Sequence, residues 1–139
     1  MLKQDQLIVQ SKLEDLTQVQ QWFDRFCSAS QLPWLEAVFD QVNLALAEGF
    51  TNAVRHAHKG LPADTPIEID LFLWQEKLEV QVWDMGQPFD PDKLPERKPG
   101  TLTVGGYGWF LMRRLADVNY ERNDLGRNCL RIVKCSTPS

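Results

Sequence analysis

Apolar and polar positions divide the chain into a helical first part and a region of alternating character. Apolar residues recur at helical spacing from Leu13 to Cys27 and again from Pro33 to about His58, which predicts two amphipathic helices. Pro33 suits a first helical turn, which needs no intrahelical amide donor, and Gly60 suits a left-handed cap after the second helix. Residues 5–10 are a candidate edge strand.

Strict alternation then predicts a hairpin. Every second residue is apolar in 67–73 and in 78–82, and residues 75–77 are a short connection between them. One apolar and one polar face is typical of antiparallel strands that have helices on one side only. Two more strands are predicted at 120–123 and 128–134, with a turn at 124–126. We therefore predict an α+β fold, a two-layer sandwich of helices on one face of a mixed, mainly antiparallel sheet. It would form a single domain, residues 1–139.

The period of two places one charged residue on the core-facing side. Counting on from Val80 and Val82 reaches Asp84. Because an unpaired buried charge is costly, Asp84 should lie at the mouth of a pocket and accept hydrogen bonds. Alternatively, the strand ends at Trp83 and Asp84 begins a turn, as aspartate often does.

A polar stripe runs along the second predicted helix. Glu48, Asn52 and His56 are spaced four apart and therefore share a face. Gly49 lies in the same segment, where glycine costs ~1 kcal/mol relative to alanine, so it suggests close packing or room for a ligand. An acid and an amide beside small residues could form a ligand wall, although the same pattern also fits a solvated helix face.

The stretch from Met85 to Val104 holds four prolines, two glycines and six charged residues, so a helix or central strand is unlikely there. A stretch of this length is a lid, a binding loop or disordered. Helical spacing returns from Trp109 to Val118, directly after three glycines, Gly105, Gly106 and Gly108. Glycines at a helix N-terminus offer amides to a phosphate, but neither a complete dinucleotide fingerprint nor a P-loop is present.

Composition excludes several classes of protein. The 139 residues carry a net charge of -4, with a pI of about 5.1, which gives no sign of nucleic-acid binding. No apolar run approaches the ~20 residues of a membrane span, and the N-terminus lacks the apolar region of a signal peptide. The three cysteines show no CxxC spacing, which indicates reduced thiols in a cytoplasmic protein and no zinc site.

Taken in order, three motifs resemble those of the GHKL ATPase superfamily, which has the Bergerat fold. Glu48-x-x-x-Asn52 resembles its N box, Asp84-x-Gly86 its first glycine box, and Gly106-x-Gly108 its second. The phrases EGFTNAVRHAH and GGYGWFLMRRLAD are similar to bacterial anti-sigma-factor serine/threonine kinases. A sensor histidine kinase would need an upstream phospho-acceptor histidine, and a gyrase-like ATPase would need a transducer domain.

The resemblance implies a role for each polar residue of the first two motifs. Asp84 would accept a hydrogen bond from the adenine amino group, and Gly86 would let the base approach the backbone. Asn52 would supply a protein oxygen to Mg²⁺. Glu48 would orient or deprotonate the attacking hydroxyl. Two histidines receive no chemical role, the first expected to be structural and the second to lie at the surface: His56 and His58.

The resemblance also assigns the phosphate site. Three glycines would cradle the phosphates: Gly105, Gly106 and Gly108. Residues 89–104 would form a mobile lid, with Lys98, Arg97 or Arg113 as candidate phosphate partners. Two features depart from the family pattern. A threonine often follows the glycine near the last strand, whereas here Gly126 is followed by Arg127 and Asn128, and the second glycine box carries the bulky residues Tyr107 and Trp109.

These implications lead to a Mg-ATP-dependent protein serine/threonine kinase that acts as an anti-sigma factor. Its substrate would be an anti-sigma-factor antagonist protein, a sigma factor is a possible second partner, and a homodimer is expected. No nucleic acid or membrane would be bound directly. The alternative is a non-catalytic module that binds nucleotide and sequesters a protein partner; coincidental motifs in an adaptor protein are a third reading.

Overall fold

The computed structural model describes residues 1–86, 113–123 and 126–137. In these ranges two long helices, a helical segment at residues 113–115 and five strands are present. A single 3-10 turn, Leu13–Asp15, precedes the first helix, and a π-helical turn, Ala53–Ala57, extends the second. The elements in chain order are β1 Lys3–Gln10, α1 Leu16–Ser30, α2 Pro33–Asn52, β2 Pro66–Trp74, β3 Lys77–Asp84, β4 Asp117–Arg122 and β5 Asn128–Cys135.

The five strands form one sheet in the order β1-β2-β3-β5-β4. All four pairings between them are antiparallel, and β1 lies at one edge, as predicted. The strand register places Asp84 of β3 opposite Asn128 of β5. It also places Tyr120 of β4 opposite Leu130 of β5. In the described ranges no helix is long and apolar enough to cross a membrane.

The core lies between the helices and one face of the sheet, so the predicted α+β sandwich is confirmed. Alternate residues of β2 and β3 are buried, while their neighbours in sequence are partly exposed on the other face. From the helices, large side chains such as Phe23, Leu46 and Phe50 fill the space over this face. Phe23 also stacks on Phe39 of α2, with ring centroids 5.4 Å apart. The sandwich places the middle and end of α2 across β3 and β5.

The predicted helix from Trp109 to Val118 is wrong at its C-terminal end. Within the described part of this segment, residues 113–115 are helical, and Asp117 and Val118 already belong to β4. Val118 pairs with Ile132 of β5 and packs against the core, as does Tyr120 two residues later. Pairing with β5 therefore overrides the helical spacing of the local sequence. Consequently β4 begins three residues before the predicted strand.

Candidate functional site

Two residues from different motifs line the same small cavity between α2 and the sheet. Asn52, in the last turn of α2, is 6% exposed, and Asp84, at the end of β3, is 2% exposed. The cavity has a volume of about 10 Å³. Its other lining residues among those described are Gly49, Ala53, Val82, Tyr120 and Leu130. The predicted strand end with an inward-facing carboxylate is therefore present, and it faces Asn52 of the predicted polar stripe.

The Asp84 carboxylate is held by three donors from three different segments. Its Oδ1 accepts hydrogen bonds from the Gly86 backbone N–H at 3.1 Å and from Asn128 Nδ2 at 2.7 Å. Its Oδ2 accepts one from the Tyr120 hydroxyl at 3.2 Å. These bonds compensate the desolvation of the carboxylate and fix its orientation.

Asn128 is a functional candidate that sequence reasoning missed. Its side chain is 0% exposed, and its Nδ2 donates to Asp84 and also to the Gly86 carbonyl at 2.9 Å. Two oxygen acceptors around Nδ2 fix the amide orientation, and the buried Oδ1 lacks a hydrogen-bond partner in the described structure. The departure from threonine near the last strand drew attention to this position. Its contact with Asp84 depends on the β3–β5 register, which the sequence does not reveal.

Gly86 packs directly against the π-helical turn that follows Asn52. A Cβ added to Gly86 would overlap the carbonyl oxygen of Ala57 and come within 3.1 Å of His58 Cδ2. The chain after β3 therefore approaches the end of the helix so closely that only glycine, which has no Cβ, fits at position 86 without a shift of the backbone. The π-helical turn itself is closed by a hydrogen bond from the His58 N–H to the Ala53 carbonyl, at 2.9 Å.

The prediction that His58 lies at the surface is wrong. The π-helical turn directs the chain inward, and His58 is 3% exposed. Its Nε2 accepts a hydrogen bond from the Met85 backbone N–H at 2.9 Å. Burial lowers the pKa of His58, and the nearby Asp84 charge partly opposes this. Because Nε2 is an acceptor here, the ring is neutral and carries its proton on Nδ1.

Glu48 lies one turn before Asn52 on α2 and is half-buried, but it does not line the small cavity. Burial raises the pKa of Glu48, and the positive charge of Arg55 partly offsets the rise. Asn52 Nδ2 has no hydrogen-bond partner in the ranges that the structure describes. Its amide is thus not tied through nitrogen, a condition that suits a residue expected to turn its oxygen toward an ion. His56, on the same stripe, is partly buried, and burial lowers its pKa.

Several predicted site residues lie outside the described residues. They are Gly105, Gly106, Gly108, Lys98, Arg97 and the predicted lid 89–104. Arg113 is described and exposed. Within the part of the chain that the structure covers, no three His, Cys, Asp or Glu side chains cluster as a metal site. The three cysteines are unpaired, two of them buried.

The chain is similar to one known protein family and to several individual proteins. The model of a family described as the histidine kinase-like ATPase domain matches residues 9–134. The serine-protein kinase RsbW of Listeria monocytogenes serovar 1/2a is 30% identical over 97 residues, 64% of this chain and 61% of that protein. The protein of the same name from Bacillus licheniformis is 30% identical over 106 residues, 70% of this chain and 66% of its own length. That of Bacillus pumilus is 32% identical over 98 residues, 64% and 60% of the two chains. The chain thus spans just under two thirds of these relatives.

Proposed function

The chain belongs to the family of histidine kinase-like ATPase domains, and on that premise we propose that it is a Mg-ATP-dependent protein serine/threonine kinase. The observation that carries the proposal is the shared cavity of Asn52 and Asp84, in which the carboxylate is already held by three donors. The similarity to serine-protein kinases named RsbW supports a protein hydroxyl as the group that receives the phosphoryl group.

Asp84 would select the base. A carboxylate accepts a hydrogen bond from the adenine amino group, whereas guanine has a carbonyl oxygen at the same place, which the carboxylate would repel. Because Gly86 and Asn128 hold the carboxylate in one orientation, the carboxylate itself needs little reorientation when adenine binds. The expected ligand is therefore an adenine nucleotide.

Asn52 would hold Mg²⁺ through its side-chain oxygen. Magnesium in nucleotide sites takes one or two protein oxygens and completes its shell with phosphates and waters. The buried amide of Asn52, whose nitrogen has no partner in the described structure, fits a single ligand of this kind. Bound Mg-ATP would supply the phosphoryl group, and the chain would orient it and exclude water.

Glu48 would act on the attacking hydroxyl of the protein substrate. Half-burial raises the pKa of this carboxyl, and a general base is most effective when its pKa approaches the working pH. One helical turn separates Glu48 from Asn52. The Glu48 carboxylate, as general base, would therefore lie beside the phosphates rather than beside adenine. The three glycines Gly105, Gly106 and Gly108, with Lys98, would contact those phosphates.

The substrate would be an anti-sigma-factor antagonist protein, with a sigma factor as the alternative partner and a homodimer as the working state. These partners follow from the resemblance of the motifs to anti-sigma-factor kinases, and the RsbW relatives support them. The protein would work in the cytoplasm.

Phosphate transfer to the cognate antagonist tests the proposal. We expect Glu48→Gln to slow transfer from labelled ATP by roughly 10²- to 10⁴-fold while ADP binding persists. Glu36→Gln is the matched control, since Glu36 is an exposed acid in the first turn of the same helix. Transfer by Glu48→Gln at the wild-type rate would exclude the base role.

A non-catalytic nucleotide-binding module is the second candidate. It is motivated by the two departures from the family pattern, the residues Arg127 and Asn128 after Gly126 and the bulky residues Tyr107 and Trp109 in the second glycine box. Titration with ADP and ATP, with and without Mg²⁺, separates the possibilities. Both candidates require binding that Asn52→Ala and Asp84→Asn weaken, and stoichiometric phosphate transfer to an antagonist would exclude the second.

A further inference from the structure

Tyr120 occupies the same acceptor, the Asp84 carboxylate, that the proposed function assigns to the adenine amino group. Its hydroxyl donates to Asp84 Oδ2 at 3.2 Å, and its side chain is one wall of the small cavity. The cavity volume of about 10 Å³ is at the lower limit for a single water molecule. A purine therefore cannot approach Asp84 while the side chains described here keep their positions.

Among the described lining residues, Tyr120 packs at the margin of the core and is the large side chain with the fewest constraints from the sheet. Val82 and Leu130 belong to β3 and β5, each of which is paired on both sides, and both residues are at least 95% buried. Of the described lining residues Tyr120 is the largest, and it is partly exposed. It comes from β4, which pairs with β5 and is an edge strand of the sheet in the described ranges. Rotation of its side chain opens the space in front of Asp84 and leaves the sheet intact.

We propose that Tyr120 occupies the base subsite of the nucleotide-free protein and sets nucleotide affinity by having to leave Asp84 before adenine binds. This inference rests on the proposed nucleotide function. In the closed state the phenol hydroxyl donates to Oδ2, and in the open state the adenine amino group donates there instead. Apparent affinity equals the intrinsic affinity reduced by the fraction of open molecules, so a weaker closed state gives tighter binding.

Removal of the hydroxyl tests this exchange. Tyr120→Phe loses the bond that stabilises the closed state, and we expect calorimetry to show ADP bound roughly tenfold more tightly, the size of one hydrogen bond to a charged group. Tyr120→Leu, which removes the ring, should bind at least as tightly. If Tyr120 had only a structural role, both variants would show lower thermal stability and would bind ADP as tightly as wild type or more weakly.

Val118→Ala is the matched control. Val118 lies on β4 two residues before Tyr120 and also packs against the core, but it does not line the cavity. Its truncation should lower thermal stability without tightening ADP binding. Tightening by Val118→Ala as large as that by Tyr120→Phe would overturn the inference, because general loosening of β4 would then explain both.

Movement of the ring can be followed directly. The chain has two tyrosines, so protein labelled with 3-fluorotyrosine gives two fluorine resonances, and the one absent from Tyr120→Phe belongs to Tyr120. We expect that resonance to shift toward the position of a solvent-exposed ring at saturating ADP. A resonance that keeps a buried position in the saturated protein would overturn the inference.

The binding results separate this inference from the function on which it depends. If wild type binds ADP and Tyr120→Phe binds it equally or more weakly, the inference fails and the nucleotide function stands. If wild type and both Tyr120 variants bind no adenine nucleotide, the nucleotide function fails and takes the inference with it. Binding by Tyr120→Phe where wild type shows none would support both.

Discussion

The two walls of the cavity differ in how firmly their main polar side chains, Asp84 and Asn52, are held. On the sheet wall, Asp84 accepts hydrogen bonds from Gly86, Asn128 and Tyr120, and among the described residues the buried atom left without a partner there is Asn128 Oδ1. On the helix wall, Asn52 Nδ2 and the neighbouring His58 Nδ1 are buried without a hydrogen-bond partner in the described ranges. Each buried polar atom left in this state costs about 1 to 3 kcal/mol.

This difference indicates a fixed half and an open half of the site. A base that is recognised by one hydrogen bond benefits from an acceptor already oriented by its neighbours. A metal ion and phosphates need ligands that are not already committed to other partners. The π-helical turn lies on the open side, immediately after Asn52, and such turns occur frequently at functional sites. The open half accepts a cost in stability that a ligand can relieve.

The largest expected effect comes from closing the gap between the two walls. Gly86→Ala places a methyl group against the Ala57 carbonyl, so either β3 or the π-helical turn must shift. We expect unfolding free energy to fall by about 3 kcal/mol, as in overpacked cores, and ADP binding to be lost. Urea titration and calorimetry measure the two effects.

Gly60→Ala serves as the control for that glycine. Gly60 has a φ of +84° with no atom near its missing side chain, so alanine there costs roughly 1 kcal/mol of backbone strain. ADP binding should be unchanged. If Gly86→Ala proves no more costly than Gly60→Ala, the close packing of the two walls is not a strict requirement.

The next effect concerns the preorganised wall. Asn128→Ala removes the donor to both Asp84 and the Gly86 carbonyl, and we expect a loss of about 2 to 3 kcal/mol in unfolding free energy. In an Asp84→Asn background the same change should cost about 1 kcal/mol less, since no charged acceptor remains. Additive losses in chemical denaturation of the four proteins would show that Asn128 does not act through Asp84.

One polar residue of each wall, Asp84 and Asn52, could be predicted from local spacing in the sequence, whereas the residues that hold Asp84 could not, for a physical reason. Period-two counting reached Asp84, because burial of one strand face is a local property of consecutive residues. Asn128 was noticed but not connected to Asp84, since that contact depends on a register between strands distant in the chain. Tyr120 was correctly predicted to lie in a strand, but its contact with Asp84 depends on the pairing of β4 with β5 and was therefore missed.

The π-helical turn marks the other limit of the sequence. The predicted helix to His58 had the correct extent, and the positive φ of Gly60 agrees with its expected role as a cap. The wider π-helical turn nevertheless changes which side chains face inward, and the apolar pattern did not reveal it. His58 was therefore predicted at the surface, although it accepts a hydrogen bond from the backbone N–H of Met85, the residue directly after β3.

His58 also links the two walls in a way that depends on pH. Its pKa in the folded protein is lowered from 6.5 by burial, so the unfolded chain takes up the proton first. The stability that neutral His58 provides is present above pH 6.5 and is lost as the pH falls through the folded pKa. Protonated Nε2 can no longer accept from Met85, and the link breaks.

Thermal unfolding of wild type and His58→Gln between about pH 7.5 and 5.5 measures this contribution. Glutamine stays neutral, so the variant should lose less stability than wild type over that range. His56→Gln is the control for the other histidine, whose pKa is also lowered and which should leave the His58 contribution in place. Equal losses in wild type and His58→Gln would show that the Met85 bond is not pH-sensitive.

The smallest effect should appear at Glu48 and concerns stability rather than catalysis. Burial raises the pKa of Glu48 from 4.5, so the folded protein holds the proton more firmly than the unfolded chain. The stability linked to that proton is present below pH 4.5 and is lost as the pH rises through the folded pKa. Charged Glu48 therefore opposes folding at neutral pH, and Glu48→Gln should melt at a slightly higher temperature there, with no gain below pH 4.5.

Glu36→Gln is the control and should instead be slightly destabilised, because an acid in the first turn of a helix interacts favourably with the helix dipole. A variant that gains stability at neutral pH while losing phosphate transfer would place Glu48 on the open half of the site, retained for its chemistry at the expense of the fold.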